Sequence, residues 1–455
     1  MSSEIISKLV AASRAAQRQF EHATQEQADA AARAVCKAVY DNARELAVMA
    51  VEETDMGDVE DKVVKCTMKP KLIWNDIKDK KSVGLLRHIE DLDIYEYAKP
   101  MGVVGSIAPC TNPIVTPMSN SAFSLKCRNS IIIAPHPRAL RCTERVVGLF
   151  RKELALLGFP EDLIQMTTTS SVEMSTELMK QVDIIVATGG MGMVKSAYSS
   201  GKPALGVGVG NVQCIVDDDA DIEQASADIV TGRCFDNGII CLGEQAVIAP
   251  SRRYDELLSA LERNGTYVMR DKKEIQMLRD ALFPSGGAHN RKAVGKPASF
   301  VAELAGLQLP EGTRMIAAEG AGYGGHDEVL CREKMCPVVV LLRCESFEEA
   351  VEIALTNLRH EGLGHSVGLH SNTAAHVEYA ANMFPVARLI INQPTGTSGG
   401  GHLYNGFTPT TSNGCGTWGN NSFSGNFTFT HLMNITRVGF KHKQTTVPSD
   451  EQIWA

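Results

Sequence analysis

Short apolar runs recur through the middle of the chain, each followed by a segment of helical periodicity: Val103 to Ala108, Ile131 to Ala134, Asp183 to Ala187 and Gln213 to Val216. Such a run, with no alternating polar face, reads as a strand buried on both sides, and strands separated by helices form parallel sheets covered on both faces. The expected fold class is therefore α/β, with a doubly wound, mostly parallel sheet. A second unit of the same type begins near Gly232 and continues through Gln245 to Ala249, Pro337 to Leu342 and Leu389 to Asn392. At 455 residues the chain is long for one domain and comfortable for two. Residues 3 to 55 are Ala-rich with a split near Thr24, which predicts two long helices. The alternation in Asp93 to Ala98 predicts an amphipathic strand pair over residues 84 to 101, and that around Leu432 to Val438 an edge strand followed by a polar tail. Between them, residues 394 to 426 are rich in Gly, Ser, Thr and Asn and read as a long irregular loop of the kind a compact domain keeps for function.

Charge narrows the partners. The net charge is −8 with no run of five like charges, which argues against a broad nucleic-acid or anionic-membrane surface. No stretch of eighteen uninterrupted apolar residues exists, and Glu4, Lys8, Arg14 and Arg18 interrupt the N-terminal apolar positions, so neither a signal peptide nor a membrane span is expected. The twelve cysteines are scattered without a disulfide framework, as suits reduced thiols in a cytoplasm. Cys331 and Cys336 lack a second pair at zinc-ribbon spacing. His360, His365, His370 and His376 do not keep one helical face, so no metal is expected.

Two Gly-rich segments compete for an anion. Gly206-Val207-Gly208-Val209-Gly210 precedes a strand-like run, the wrong context for a dinucleotide fingerprint. Thr188-Gly189-Gly190-Met191-Gly192 follows an apolar run and precedes the helix-compatible Met193 to Ser199, so its backbone N–H groups can face an anion at a helix N-terminus. Lys195-Ser196 is not a nucleotide triphosphatase P-loop, because Val194 stands where that motif needs Gly.

Pro109-Cys110-Thr111-Asn112-Pro113, Ala134-Pro135-His136-Pro137-Arg138, residues 187 to 211, Phe235-Asp236-Asn237-Gly238-Ile239-Ile240-Cys241 and Glu333-Lys334-Met335-Cys336-Pro337 stand in the order seen in the aldehyde dehydrogenase superfamily. Across nearly the whole chain the sequence resembles its CoA-acylating branch. Residues 357 to 366 and 413 to 428 are most similar to the succinate-semialdehyde members. The resemblance implies Cys241 as nucleophile and Asn112 as oxyanion-hole amide, where spacing alone would leave Cys241 one more buried thiol. Hydrolytic relatives carry a water-activating glutamate where Val207 aligns, and valine cannot activate water. Attack by the thiol of CoA on a thioester at Cys241 fits that loss.

The same resemblance implies Glu333 on the nicotinamide ribose, and His136, Pro137 and Arg138 beside the adenosine ribose. With Arg138 present and no carboxylate in that stretch, NADP is the expected cofactor and NAD the alternative, with coenzyme A as co-substrate. Thr188, Gly189, Gly190 and Gly208 complete the cofactor-binding candidates. For the aldehyde, Lys69, Leu242, Thr397 and Ser398 are the candidates, with Lys71, Thr395, Thr410, Thr411 and Ser412 as further donors. Leu242 and Asn413 depart from the succinate-type pattern, which leaves sulfoacetaldehyde a serious alternative to succinate semialdehyde. A hydrolytic or phosphorylating dehydrogenase and a nonenzymatic scaffold are the other rivals.

The fold implied is an aldehyde dehydrogenase fold. Its dinucleotide-binding domain is expected over 1–85 and 102–231, its catalytic domain over 232–425, and an oligomerisation arm and tail over 86–101 and 426–455. A free cytoplasmic homodimer or homotetramer is expected, with no microcompartment-targeting peptide and no fused alcohol dehydrogenase. Its partners are expected to be the small-molecule aldehyde and CoA, with no nucleic acid and no membrane.

Overall fold

The computed structural model describes residues 2–441 and 446–455; residues 442–445 of the expected tail lie outside the described residues. Its first sheet has five parallel strands in the order Ile164–Met166, Ser130–Ala134, Val103–Ile107, Ile184–Ala187, Ala204–Gly206. Every residue of Val103–Ile107 and Ser130–Ala134 is buried, because side chains leave the sheet on alternate sides into two apolar layers. Ile131 and Ile133 join the layer formed with Val35, Val39, Met118 and Phe150, while Ile132 and Ala134 join Ile6, Val10, Met174 and Leu178 on the opposite face. The chain runs outward from Val103–Ile107 to one side and then crosses to the other, so the loops diverge at the carboxyl ends of Val103–Ile107 and Ile184–Ala187. That divergence opens the crevice in which such sheets bind ligands.

The second sheet has seven parallel strands in the order Thr266–Met269, Met315–Glu319, Val338–Cys344, Glu244–Pro250, Val212–Val216, Gly364–His370, Val386–Ile391. Val212–Val216, which precedes the boundary expected at 231/232, stands in this second sheet. Val212–Val216 pairs with Glu244–Pro250 and Gly364–His370, and the Ile222–Cys234 helix packs Ile229 and Val230 into one layer with Cys214 and Val247. The second unit therefore begins in the segment between Gly206 and Val212. A fully buried apolar run fits the middle of either parallel sheet, and nothing in it states which one.

Two further expectations change. Residues 3 to 55 form three helices, Ser2–Phe20, Gln25–Asp41 and Ala43–Thr54. Thr24 caps the second through a reciprocal capping box, as its position suggested, and Asn42 breaks the run again by donating its Nδ2 to Ala38 O at 2.8 Å. The segment 394–426 carries the Thr395–Ser398 turn of helix and an antiparallel pair, Asn413–Cys415 with Ser424–Asn426. Buried Arg388 fastens it, donating to Gly414 O at 3.1 Å and Asn426 Oδ1 at 3.2 Å.

The strand pair expected over 84 to 101 is Gly84–Ile89 with Ile94–Pro100, and Met433–Gly439 adds the antiparallel edge strand. Buried Glu96 on the central strand accepts from Arg87 Nε at 2.7 Å and Arg437 Nε at 2.9 Å, which fixes the register on both sides. Among the described residues no helix is long and apolar enough to cross a membrane.

Candidate active site

Cys241 lies just beyond the Ile222–Cys234 helix, after a turn in which Asp236 (φ 53°) and Asn237 (φ 50°) are both left-handed. Two such residues in succession are costly unless the surroundings hold them. Asp236 is fully buried and is held from four directions: its N–H donates to Asp61 Oδ2 at 2.7 Å, and its carboxylate accepts from Asp58 N and Lys62 Nζ, both at 2.9 Å, and from Lys65 Nζ. Burial alone would push this carboxyl up, but the Lys65 and Lys62 ammonium groups hold it below the usual carboxylate range. The turn that delivers Cys241 is thus riveted to the Val59–Ile77 helix, whose lysines 62, 65 and 69 follow one helical face.

On its other side the Cys241 segment is gripped by backbone. A Cβ on Gly210 would lie 2.1 Å from Cys241 O, so only glycine permits that approach. Gly210→Ala should shift the Cys241 segment, lowering stability by about 1–3 kcal/mol and activity with it; thermal melting and initial rates check this, and wild-type values for both would contradict the contact.

Cys241 opens into a pocket of about 780 Å³ including its mouth. Val64, Lys65, Met68, Lys69 and Leu72 form one wall and Asn112 and Val115 another, and Leu242, Thr397, His402, Thr410, Thr411 and Asn413 are among the other lining residues. Among the described residues no Asp or Glu lines it. Burial, and then the charge of Glu333, push the Cys241 thiol up to about 12, while Arg388 and the Asn413 amide, with its Nδ2 4.0 Å from Sγ, pull the other way. The resting group is a thiol. Lys65 donates to Asn112 Oδ1 at 2.9 Å. Lys69 donates to Gly400 O at 3.0 Å, and loss of water around its ammonium, with Lys65 nearby, brings it down to about 8.

The crevice of the first sheet meets the requirements of a dinucleotide. Thr188-Gly189-Gly190 continues from Ile184–Ala187 into the Met191–Tyr198 helix, whose N-terminus has no side-chain cap, and a Cβ on Gly190 would meet nothing within 4 Å. Open space above free backbone N–H groups suits a diphosphate. As expected, Gly206 to Gly210 leads into a strand, Val212–Val216. His136-Pro137-Arg138 forms the turn after Ser130–Ala134; Arg138 is exposed, with one guanidinium nitrogen donating to Thr54 O. Glu333 is half-buried, and burial, with Glu361 adjacent, pushes it up to about 8.

The structure brings Cys241, Asn112, Lys69, Leu242 and Thr397 together and separates others from them. Lys71 is corrected: it faces outward, its ammonium 4.7 Å above the Tyr40 ring. Ser398 donates to Pro394 O, Thr395 to Leu242 O at 2.6 Å, and Ser412 sits 3.2 Å from Thr188 Oγ1, so none of these three hydroxyls lines the pocket. Gly208 faces Cys415, whose Sγ would be 3.1 Å from an added Cβ, and Val207 lies in the apolar layer of the first sheet. The His136-Pro137-Arg138 turn has a carboxylate at the start of the helix that follows it: Glu53, from the Ala43–Thr54 helix, accepts from Arg141 N at 2.8 Å and Cys142 N at 2.7 Å. Lys65, Asp236 and His402 were missed from sequence.

The aldehyde dehydrogenase family model matches residues 1–417. The chain is 48% identical over 455 residues, all of both chains, to a succinate-semialdehyde dehydrogenase (acetylating) of Clostridium kluyveri. It is 38% identical to a sulfoacetaldehyde dehydrogenase of Acholeplasma sp, covering 97% of this chain and 92% of the relative. The structure superposes on that of an acetylating aldehyde dehydrogenase from Geobacillus thermoglucosidasius with a TM-score of 0.94 at 35% identity, covering 98% of each chain.

Proposed function

The chain belongs to the aldehyde dehydrogenase family, among its acylating members, and on that premise we propose that it interconverts a short anionic aldehyde, CoA and NAD(P)⁺ with the acyl-CoA and NAD(P)H, the physiological pair being succinate semialdehyde and succinyl-CoA. The observation that carries this reading is the lining of the pocket. A thiol and an amide meet there, the Lys69 ammonium and His402 stand on the wall, and among the described residues no carboxylate faces in. An ammonium without competing acids accepts an aldehyde whose far end is an anion. The same lining, with Val207 packed among hydrocarbons, offers no carboxylate to activate water, whereas a thiol is a strong nucleophile that needs less activation.

In the oxidative direction Cys241 Sγ bonds to the aldehyde carbon as its proton leaves to solvent, and the carbonyl electron pair moves onto oxygen. The Asn112 Nδ2 and the Cys241 backbone N–H hold that oxyanion. Bound nicotinamide supplies the hydride acceptor. Collapse of the alkoxide leaves a thioester on Cys241, and the CoA thiolate attacks its carbonyl, forming the acyl-CoA and returning Cys241 as thiolate. All steps reverse.

Thr188, Gly189 and Gly190 are assigned to the dinucleotide diphosphate, Glu333 to the nicotinamide ribose, and His136, Pro137 and Arg138 to the adenosine side. NADP is preferred, with NAD as the alternative: Arg138 offers a guanidinium, and the carboxylate that reaches this turn, Glu53, is engaged by two backbone N–H groups. Twelve free thiols support a cytoplasmic setting. Exposed Leu85, Tyr97, Ile435 and Val438 on the arm support a homodimer or homotetramer joined there.

Lys69 is assigned to the substrate anion. Lys69→Met should raise KM for succinate semialdehyde roughly 10- to 100-fold, the worth of one charge-assisted hydrogen bond, and leave that for propionaldehyde nearly unchanged. With the ammonium titrating at about 8, the wild-type KM for the anionic aldehyde should rise as pH passes through that value, since the cation is present below it and lost above; a flat KM from pH 7 to 9 would refute the assignment. Sulfoacetaldehyde is the second reading, favoured by the Acholeplasma relative, because one ammonium and a His do not distinguish carboxylate from sulfonate. Comparing kcat/KM for the two aldehydes with CoA decides: a higher value for sulfoacetaldehyde would replace succinate semialdehyde.

A further inference from the structure

We propose that Lys65 is the positioning residue for Asn112, and that with Asp236 it locks the oxyanion amide to the turn that carries the nucleophile; this rests on the acyl-enzyme reading above. A lysine ammonium only donates, so its 2.9 Å contact with Asn112 must be to Oδ1, which turns Nδ2, the end that can hold an oxyanion, the other way. An asparagine without such a partner can flip and present an acceptor to the oxyanion. Lys65 is itself fixed. It is 7% exposed and bonds fully buried Asp236, whose carboxylate also accepts from Lys62 Nζ and Asp58 N.

The consequence is a single connected unit. Asp236 stands five residues before Cys241, in the left-handed turn, and reaches through Lys65 to Asn112, 124 positions away in sequence. A Cβ on Gly57 would lie 1.9 Å from Asp236 Oδ1, so the backbone is also shaped around this carboxylate. Thiol and amide are therefore linked through one ammonium. The Lys65 charge also lies behind the amide carbonyl, where it polarises the Nδ2–H donors toward the developing negative charge.

The test is a double-mutant cycle on the intact enzyme: wild type, Lys65→Met, Asn112→Ala and the pair. It is read as the rate of the NAD(P)H burst with succinate semialdehyde in the absence of CoA, together with KM for the aldehyde. Lys65→Met is expected to slow the burst roughly 10- to 100-fold, the usual cost of misplacing a group near the reacting centre, with a small change in KM. In the Asn112→Ala background the same change should cost less than about threefold, because the group it orients is gone. Equal losses in both backgrounds would overturn the proposal, as would a raised KM with an unchanged burst, which would make Lys65 an anion contact. Should Lys65→Met fail to fold for want of a partner to Asp236, Lys65→Gln runs the same cycle with the same inequality expected. Absence of a burst in the wild type would overturn the acyl-enzyme reading, and this proposal with it, whereas a normal wild-type burst without coupling overturns this proposal alone.

Discussion

Cys241→Ala is expected to abolish turnover, by on the order of 10⁴-fold or more, while leaving the fold intact. Among the polar groups that line the pocket, which are thiol, amine, imidazole, amide and hydroxyl, the thiol is the one whose adduct with the aldehyde collapses to a thioester that CoA can take over. Structurally it is dispensable. Only its side chain is lost, at the pocket surface, while the segment's grip through Asp236 and the close approach of Gly210 to the Cys241 carbonyl persist. The variant should melt within a few degrees of wild type and carry no acyl group after incubation with succinyl-CoA, whereas the wild type should gain one succinyl mass on the peptide containing Cys241. Turnover by Cys241→Ala, or a label on one of the other eleven cysteines, would contradict the assignment. The thiol's position at about 12 adds a pH signature. Thiolate is the scarce form throughout the working range, so kcat/KM for a neutral aldehyde such as propionaldehyde should rise with pH from 6 to 9, the range in which the anion contact at Lys69 weakens.

Asn112→Ala should lower kcat roughly 10²- to 10³-fold, the cost of removing one oxyanion donor. The loss should fall on kcat and kcat/KM together, with KM nearly unchanged, because the amide meets the oxygen strongly only after charge has developed on it. Reduction of the burst rate without CoA would place the defect in formation of the thioester. A variant with normal kcat and a raised KM would show that Asn112 binds the aldehyde in its ground state instead.

The architecture was legible because parallel strands buried on both faces announce themselves: Val103 to Ala108 and Ile131 to Ala134 have no polar alternation to hide in. The same property concealed which sheet Val212–Val216 joins, since an apolar run carries no record of its neighbours. Cys241, Asn112 and Glu333 were visible as motif residues. Lys65 and Asp236 were not, because their contact spans 171 positions and a charge does not name its partner. One signal was readable: Lys62, Lys65 and Lys69 follow one face of a helix that also carries Cys66, Ile73 and Ile77 into the core, so their ammonium groups had to meet something inside the protein. The geometry also excludes Lys71, which stands roughly 200° around the helix from Lys69 and meets Tyr40 outside. The hydroxyls of Ser398 and Thr395 could not be placed from sequence, since short polar side chains readily turn onto nearby carbonyls.

Whether the thioester on Cys241 is passed to a thiol or to water is read by following NAD(P)H formation from succinate semialdehyde with and without CoA at equal enzyme concentration. One equivalent of NAD(P)H per active site and then a halt is expected when CoA is absent, with sustained turnover on its addition. Equal steady rates in both arms would mean that water reaches the thioester and that the chain is a hydrolytic dehydrogenase despite Val207 and the acid-free pocket.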